Sequence, residues 1–241
     1  MNKLSVRIFS ILIFVLLWGI LSLTVNSSLI LPSPLKTAES CLKLFSESVF
    51  WKSVFFTFLR VISAFLLAAA AGTFIGVVSG RLPFAEVFLD FPLSLLKSTP
   101  LAAMILLLLF AFDSNIIPII SAFLMSLPVM AECTKKGTEK ALAQKKLYKM
   151  ARIYGFSKKQ KFLFIFFPEF KSSLYSGLLS TFGMCWKAVV AGEILTLPKT
   201  AIGTFLYRGQ INLETAEVLG STVLIIVLSH IMERILKWIL K

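Results

Sequence analysis

Long apolar runs alternate with short polar connections along the whole chain. They cover about Ile8 to Val25, Phe55 to Val78, Phe91 to Phe112, Ile116 to Ala131, Leu174 to Leu195 and Val218 to Trp238. Crossing a bilayer takes about 20 predominantly apolar residues in helical form. The pattern therefore predicts six transmembrane helices in an all-α membrane protein. Six spans place both termini on one side.

The polar and small residues between and within these runs refine the picture. The first run follows a short basic lead, as a secretory signal does. It is longer than the usual h-region and has no A-x-A-like site after it, so a retained helix is expected, with Trp18 at an interface or in packing. In the next stretch, Leu35, Ala38, Leu42 and Phe45 recur at helical spacing behind two prolines, which predicts a short amphipathic helix at the outer surface. The second span is rich in small residues, Ala68 to Gly72 and Gly76, so one of its faces is expected to pack on another helix. Arg60 lies near its outer end, in position to snorkel or pair. The Gly80-Arg81-Leu82-Pro83 segment is read as the inner turn that closes this span. Lys97-Ser98-Thr99-Pro100 interrupts the third span, because Pro100 lacks a backbone donor and Lys97 is costly to bury. A kinked helix facing the protein interior is expected there, followed by a tight outer turn at Asp113-Ser114-Asn115. An outer segment with Pro198, Gly203 and Gly209 precedes the sixth span.

Composition agrees with this division. Hydrophobic residues make up 57% of the 241 positions and charged residues only 15%, well short of the quarter charged that is usual in soluble domains. The net charge of +13 does not point to nucleic acid. Eleven of the 25 Lys and Arg residues lie between Lys135 and Lys171, in the one long polar connection, and basic loops between spans are retained in the cytoplasm. The basic lead, this loop and the tail ERILKWILK then all fall inside. Only Lys36, Lys43, Lys52, Lys199 and Arg208 are scattered outside. Both termini are thus expected to be cytoplasmic. Cys41, Cys133 and Cys185 are far apart and odd in number, and the one histidine, His230, has no second ligand type near it. Neither a disulfide nor a metal site is expected.

Within the basic connection lies LYKMARIYGFSKKQKFLFIFFPEF. It resembles the cytoplasmic loop of the permeases of binding-protein-dependent, type I ABC importers, whose pattern is Glu-Ala-Ala, three residues, Gly, nine residues, then Ile-x-Leu-Pro. Ala151 fills the second alanine place and Gly155 the glycine, with nine residues from there to Ile165 and Pro168 closing the pattern. Lys149 stands in place of the glutamate, Met150 of the first alanine and Phe167 of the leucine. LPSPLKTAES, FTFLRVISAF, LLKSTPLAAMILLLLF and WKAVVAGEIL resemble the nitrate, sulfonate and taurine permeases of that family at corresponding places.

The resemblance implies a division into residues 1–50, the first helix and outer amphipathic segment, and 51–241, the transmembrane domain with a coupling loop at 135–171. It implies that Lys149, Met150, Ala151, Gly155, Ile165 and Pro168 form a coupling helix docking in a cytoplasmic ATPase. The glycine permits the turn after the helix and the proline caps re-entry into the next span. It further implies two permease copies as a homodimer, two ATPases and a periplasmic or lipid-anchored solute-binding protein, all in the cell inner membrane or against its lipid. Alternating access driven by the ATPase would then move a small solute. The chain has no G-x-x-x-x-G-K-[ST] loop, so no cofactor is expected in it, and ATP and magnesium fall to the partner.

Candidate pathway residues are Lys97, Ser98, Thr99 and Pro100 at the interrupted span, and Trp186, Lys187 and Glu193 in the fifth. Intramembrane charges pair or line cavities. Lys187 and Glu193, six apart, do not share a helix face, and interhelical pairing is the simpler role for each. Glu193 also lies near the outer end, within reach of the interface. The alternative function is an ion-coupled secondary transporter, which calls for internal repeats and midplane carboxylates. A membrane enzyme needs a His, Cys or carboxylate cluster at one depth, which a single histidine does not supply.

Overall fold

In the computed structural model, residues 3–240 are described, with side chains at all of them except positions 3, 4, 7 and 8. They are helical almost throughout, with no strand among the described residues. Helices α1 (Lys3–Val25), α2 (Pro34–Ser46), α3 (Ser48–Arg81), α4 (Pro83–Ser98), α5 (Leu101–Leu108) and α6 (Ile117–Leu142) make the first half. Helices α7 (Lys145–Ile153), α8 (Lys158–Lys161), α9 (Phe167–Thr196), α10 (Gly203–Ile211) and α11 (Thr215–Ile239) make the second. By length and composition α3, α6, α11 and the continuous Lys158–Thr196 stretch can each cross a membrane. The pair α4 and α5 makes a fifth candidate, bent by 96° at the break. Phe9–Val25 of α1 is a shorter apolar stretch. The chain is a multi-pass, all-α membrane protein.

Its helices form two compact units. The first takes the residues up to Thr57 together with Leu197–His230. Here Ser33 opens α2: its hydroxyl accepts the Lys36 N–H at 3.3 Å, with Pro34 at the first helical position. The amphipathic helix expected from the sequence is therefore present. Trp18 donates Nε1–H to the Pro32 carbonyl at 3.1 Å, tying α1 to the segment before α2. Phe50 is fully buried edge-on to Phe205 at 5.6 Å, and the Ile202 N–H bonds the buried Thr57 hydroxyl at 3.1 Å. The segment before α11 thus carries a helix of its own, α10.

The second unit takes Phe58–Thr196 and the residues from Ile231. Gly72, Gly76 and Gly80 recur every four residues along one stripe of α3, and α6 lies directly on it. A Cβ at Gly72 would meet Met130 Cβ at 2.6 Å, and one at Gly80 would meet Thr138 Cβ at 2.8 Å. At Gly76 it would strike the Thr134 hydroxyl and the Ala131 carbonyl. This is the close approach that small residues give membrane helices. The Thr134 hydroxyl, at 3.2 Å from the Gly72 carbonyl, adds an interhelical bond. Antiparallel α9 packs on α6 in the same manner, with Gly192 against Pro118, Gly177 against Cys133 and Gly137 against Ser173.

Several expected boundaries change. Gly80 and Arg81 are the last turn of α3, and the chain breaks at Leu82, which lets Pro83 take the first position of α4. The third span begins at Pro83 and not near Phe91. The fourth does not stop at Ala131. Lys136–Glu132 and Lys135–Glu139 pairs carry α6 on to Leu142. The 135–171 connection is accordingly almost all helix, with non-helical links only at Ala143–Gln144 and Tyr154–Ser157.

Candidate functional site

The segment expected to act in coupling is a short helix with a defined stop. α7 ends at Ile153, and Gly155 takes φ 69°, in the left-handed region that favours glycine. The Gly155 N–H bonds the Arg152 carbonyl at 3.2 Å and the Phe156 N–H bonds the Ala151 carbonyl at 2.8 Å. Together these make a Schellman cap. Ser157 then starts α8 with a capping box, its hydroxyl accepting from the Gln160 N–H while Gln160 Oε1 accepts the Ser157 N–H at 2.7 Å. The direction of α7 is thereby fixed at both sides of the elbow.

A five-residue π-turn, Phe162–Phe166, joins α8 to α9, with the Phe167 N–H bonding the Phe162 carbonyl five residues back. Pro168 has no N–H to offer in the turn that follows. It lies inside α9, one residue past its start, and does not mark a chain break. Ala151 and Ile165 are buried, whereas Lys149, Met150, Gly155 and Pro168 are exposed. Phe166 and Phe170 stack at 5.4 Å in a buried cluster with Ala141 of α6. Arg81, the last residue of α3, holds its guanidinium 5.1 Å over the Phe166 ring. Burial pushes the Tyr148 phenol of α7 up, and the charge of Arg81 opposes that shift. The ends of α3, α6 and α9 and the inner face of α7 therefore meet around Arg81 and Phe166.

At the other end of the same helices lies a buried ion pair. Arg60 Nη1 donates to Glu193 Oε1 at 2.9 Å, with side-chain exposures of 8% and 0%. Arg60 Nη2 donates to Asn115 Oδ1 at 3.3 Å. Asp113 Oδ1 accepts the Asn115 N–H at 2.9 Å and makes the tight turn expected from the sequence. The Thr196 hydroxyl reaches the Ser114 carbonyl at 3.2 Å. Glu193 is thus fully buried and ties α9 to α3, and Arg60 carries the link on to the turn before α6. Arg60 pairs and does not snorkel.

The expected pathway residues are not gathered in one place. Lys97 bonds Glu132 at 2.6 Å, and Glu132 also takes Lys136 at 2.6 Å. Lys135 bonds Glu86 of α4 at 2.7 Å. These groups, with Asp90 and the buried Ser79, line a cavity of about 220 Å³ between α4 and α6. The third span is kinked as expected, by 96° between α4 and α5, and Lys97 turns toward α6, although no residue of α4 is fully buried. Its charged face lies on α6 and its aromatic face, with Phe84, Phe88 and Phe91, is exposed. The Ser98 and Thr99 hydroxyls both bond back to the Leu95 carbonyl, at 3.1 and 2.8 Å, and Pro100 opens α5. Trp186 is buried and its Nε1 has no hydrogen-bond partner, whereas Lys187 next to it is exposed. No group of three or more possible metal ligands occurs among the described residues.

Sequence reasoning missed the partners of Arg60 and Lys97. Glu132 was hidden because it follows the point where apolarity ends, although its i,i+4 spacing to Lys136 was a usable signal.

Known proteins of similar sequence share one kind of role. The chain is 22% identical to the putative aliphatic sulfonates transport permease protein of Bacillus subtilis, over 94% of this chain and 84% of that one. It is 23% identical to the taurine transport system permease protein of Escherichia coli, over 90% and 80%. It is 30% identical to the nitrate import permease protein of Synechococcus elongatus, over 61% and 52%. The model of the binding-protein-dependent transport system inner membrane components matches residues 72–241, and the chain belongs to that family.

Proposed function

We propose that this permease is the pathway-forming subunit of an ATP-binding-cassette importer, working as a homodimer with two cytoplasmic ATPases and a solute-binding protein outside. ATP and magnesium belong to the ATPases. Closure of the ATPases moves α7, and the capped elbow at Gly155 transmits that motion without bending. Ala151, Phe166 and Arg81 pass it to α3, α6 and α9. The single observation that carries this reading is α7 itself, a capped helix presented outward on the joined ends of the long helices.

Two further readings follow from it. The basic α7 side faces the cytoplasm. The cargo is a small solute with an anionic group, like the sulfonates, taurine and nitrate in the names of the relatives. Lys187, an exposed cation on a membrane-spanning helix, is a candidate contact for it.

The test is reconstitution of the chain with the ATPase encoded beside it. Gly155→Asp is expected to leave ATP hydrolysis in place and abolish solute uptake. Normal uptake by that variant, or uptake with no ATPase present, overturns the proposal.

A further inference from the structure

The segment between α6 and α9 carries charge of one sign only. α7 holds Lys145, Lys146, Lys149 and Arg152, α8 adds three lysines, and no aspartate or glutamate occurs from Ala143 to Pro168. Neighbouring lysines find carboxylates: Lys136 bonds Glu132 at 2.6 Å and Lys140 bonds Glu169 at 3.0 Å. Among the described residues, none of the four cations of α7 forms an ion pair. Four unpaired like charges on nine residues repel one another, a cost that an opposite field would remove.

The arrangement on the helix says what kind of partner supplies that field. The arc that holds Ala151 and Tyr148 is turned inward. On the opposite arc Ile153, 82% exposed, stands between Lys149 and Lys146, and the exposed Met150 and Leu147 follow beside Lys146. A helix that lies on a membrane segregates its apolar face from its cations, so that one enters lipid and the other stays at the headgroups. Here Ile153, the most exposed apolar side chain of the helix, is set inside the cationic arc itself. That mixture fits a protein groove with an apolar floor and a charged rim, where complementary charges set register and partner choice.

We propose that the groove of the cytoplasmic ATPase which receives α7 is acidic, with carboxylates set against Lys146 and Lys149. This rests on the coupling role proposed above and names the chemistry of its partner. Pairing is then charge-specific: a basic groove is rejected by repulsion, and a neutral one because it leaves the desolvated lysines unpaired.

The experiment measures affinity between the full-length permease in lipid nanodiscs and the ATPase encoded beside it, at several salt concentrations. Wild type is expected to bind more weakly as salt rises. The double variant Lys146→Glu/Lys149→Glu is expected to bind about tenfold or more weakly at low salt, with the salt dependence lost. Lys146→Gln/Lys149→Gln should fall between, and Lys36→Glu on α2 should bind as wild type does. Monodisperse elution of each variant separates lost docking from misfolding. Unchanged affinity and salt slope in the double variant overturn the acidic groove while leaving the coupling role standing. No binding by wild type removes the coupling role and this inference together. A difference seen only in nanodiscs with phosphatidylglycerol, and absent in neutral lipid, assigns the cations to the membrane and overturns the proposal.

Discussion

Arg60 and Glu193 lie 133 positions apart and meet at 2.9 Å in the interior of the second unit. Removing one partner of a buried pair strands the other charge, which typically costs about 3–5 kcal/mol. Glu193→Gln and Arg60→Met are therefore each expected to lower the thermal midpoint of the detergent-solubilised protein clearly. The double replacement Arg60→Met/Glu193→Leu should recover much of the loss, since it leaves no uncompensated charge. Equal or additive losses in the double variant would show that the pair itself is not the coupling element. Gly155 presents a backbone requirement in place of a charge. Its φ of 69° costs a residue with a Cβ about 1–2 kcal/mol, so Gly155→Ala should weaken coupling more than it weakens folding. The hydrolysis-to-uptake ratio measures that difference. Both ionisable residues were legible in the sequence as anomalies within apolar runs. Their mutual identity was not, because nothing local encodes a contact between distant helices.

Among elements, α3 shows what local pattern does and does not reveal. Its alanines and glycines announced a packed face, and the face is packed. Yet Gly80 read as a turn, since it is followed by Arg-Leu-Pro. The helix continues because its third glycine completes the stripe against Thr138 and because Pro83 is well placed to begin the next helix. Enlarging the middle position is the sharpest test of the stripe. Gly76→Ala is expected to destabilise by about 1–3 kcal/mol through overpacking, and Gly76→Leu to abolish recovery of folded protein. Wild-type yield of monodisperse Gly76→Leu would mean that α3 and α6 are not so closely apposed. α6 runs past the end expected for the fourth span for a related reason. Apolarity marks where a helix leaves lipid, not where its backbone hydrogen bonds end, and the charged extension to Leu142 holds the residues that bind α4. Those bonds are partly exposed, and pairs of this kind contribute only about 0–1 kcal/mol each. Glu132→Gln, which frees Lys97 and Lys136 together, should accordingly shift stability little and transport rate more, if α4 moves during the cycle.

For the molecule as a whole, charge distribution carried more information than hydropathy did. Hydropathy alone qualifies four helices and one bent pair as spans. The basic residues are asymmetric between connections, and the proposed orientation rests on that asymmetry. The proposed coupling role needs α7 to be cytoplasmic and, by the same charge rule, α2 to be outside, which one direct test checks. In a chain whose three native cysteines are replaced by alanine, Glu39→Cys on α2 and Lys159→Cys on α8 provide two exposed labelling positions. A membrane-impermeant maleimide applied to intact cells, with the outer membrane made permeable, should modify Glu39→Cys at once. Lys159→Cys should react only after the inner membrane is opened. The reverse order would invert the protein, turn α7 away from any cytoplasmic ATPase and remove the coupling role. Labelling of both from outside would leave an odd number of crossings between α2 and α8 untenable, and with it the count of spans that joins the amphipathic helix to the coupling segment.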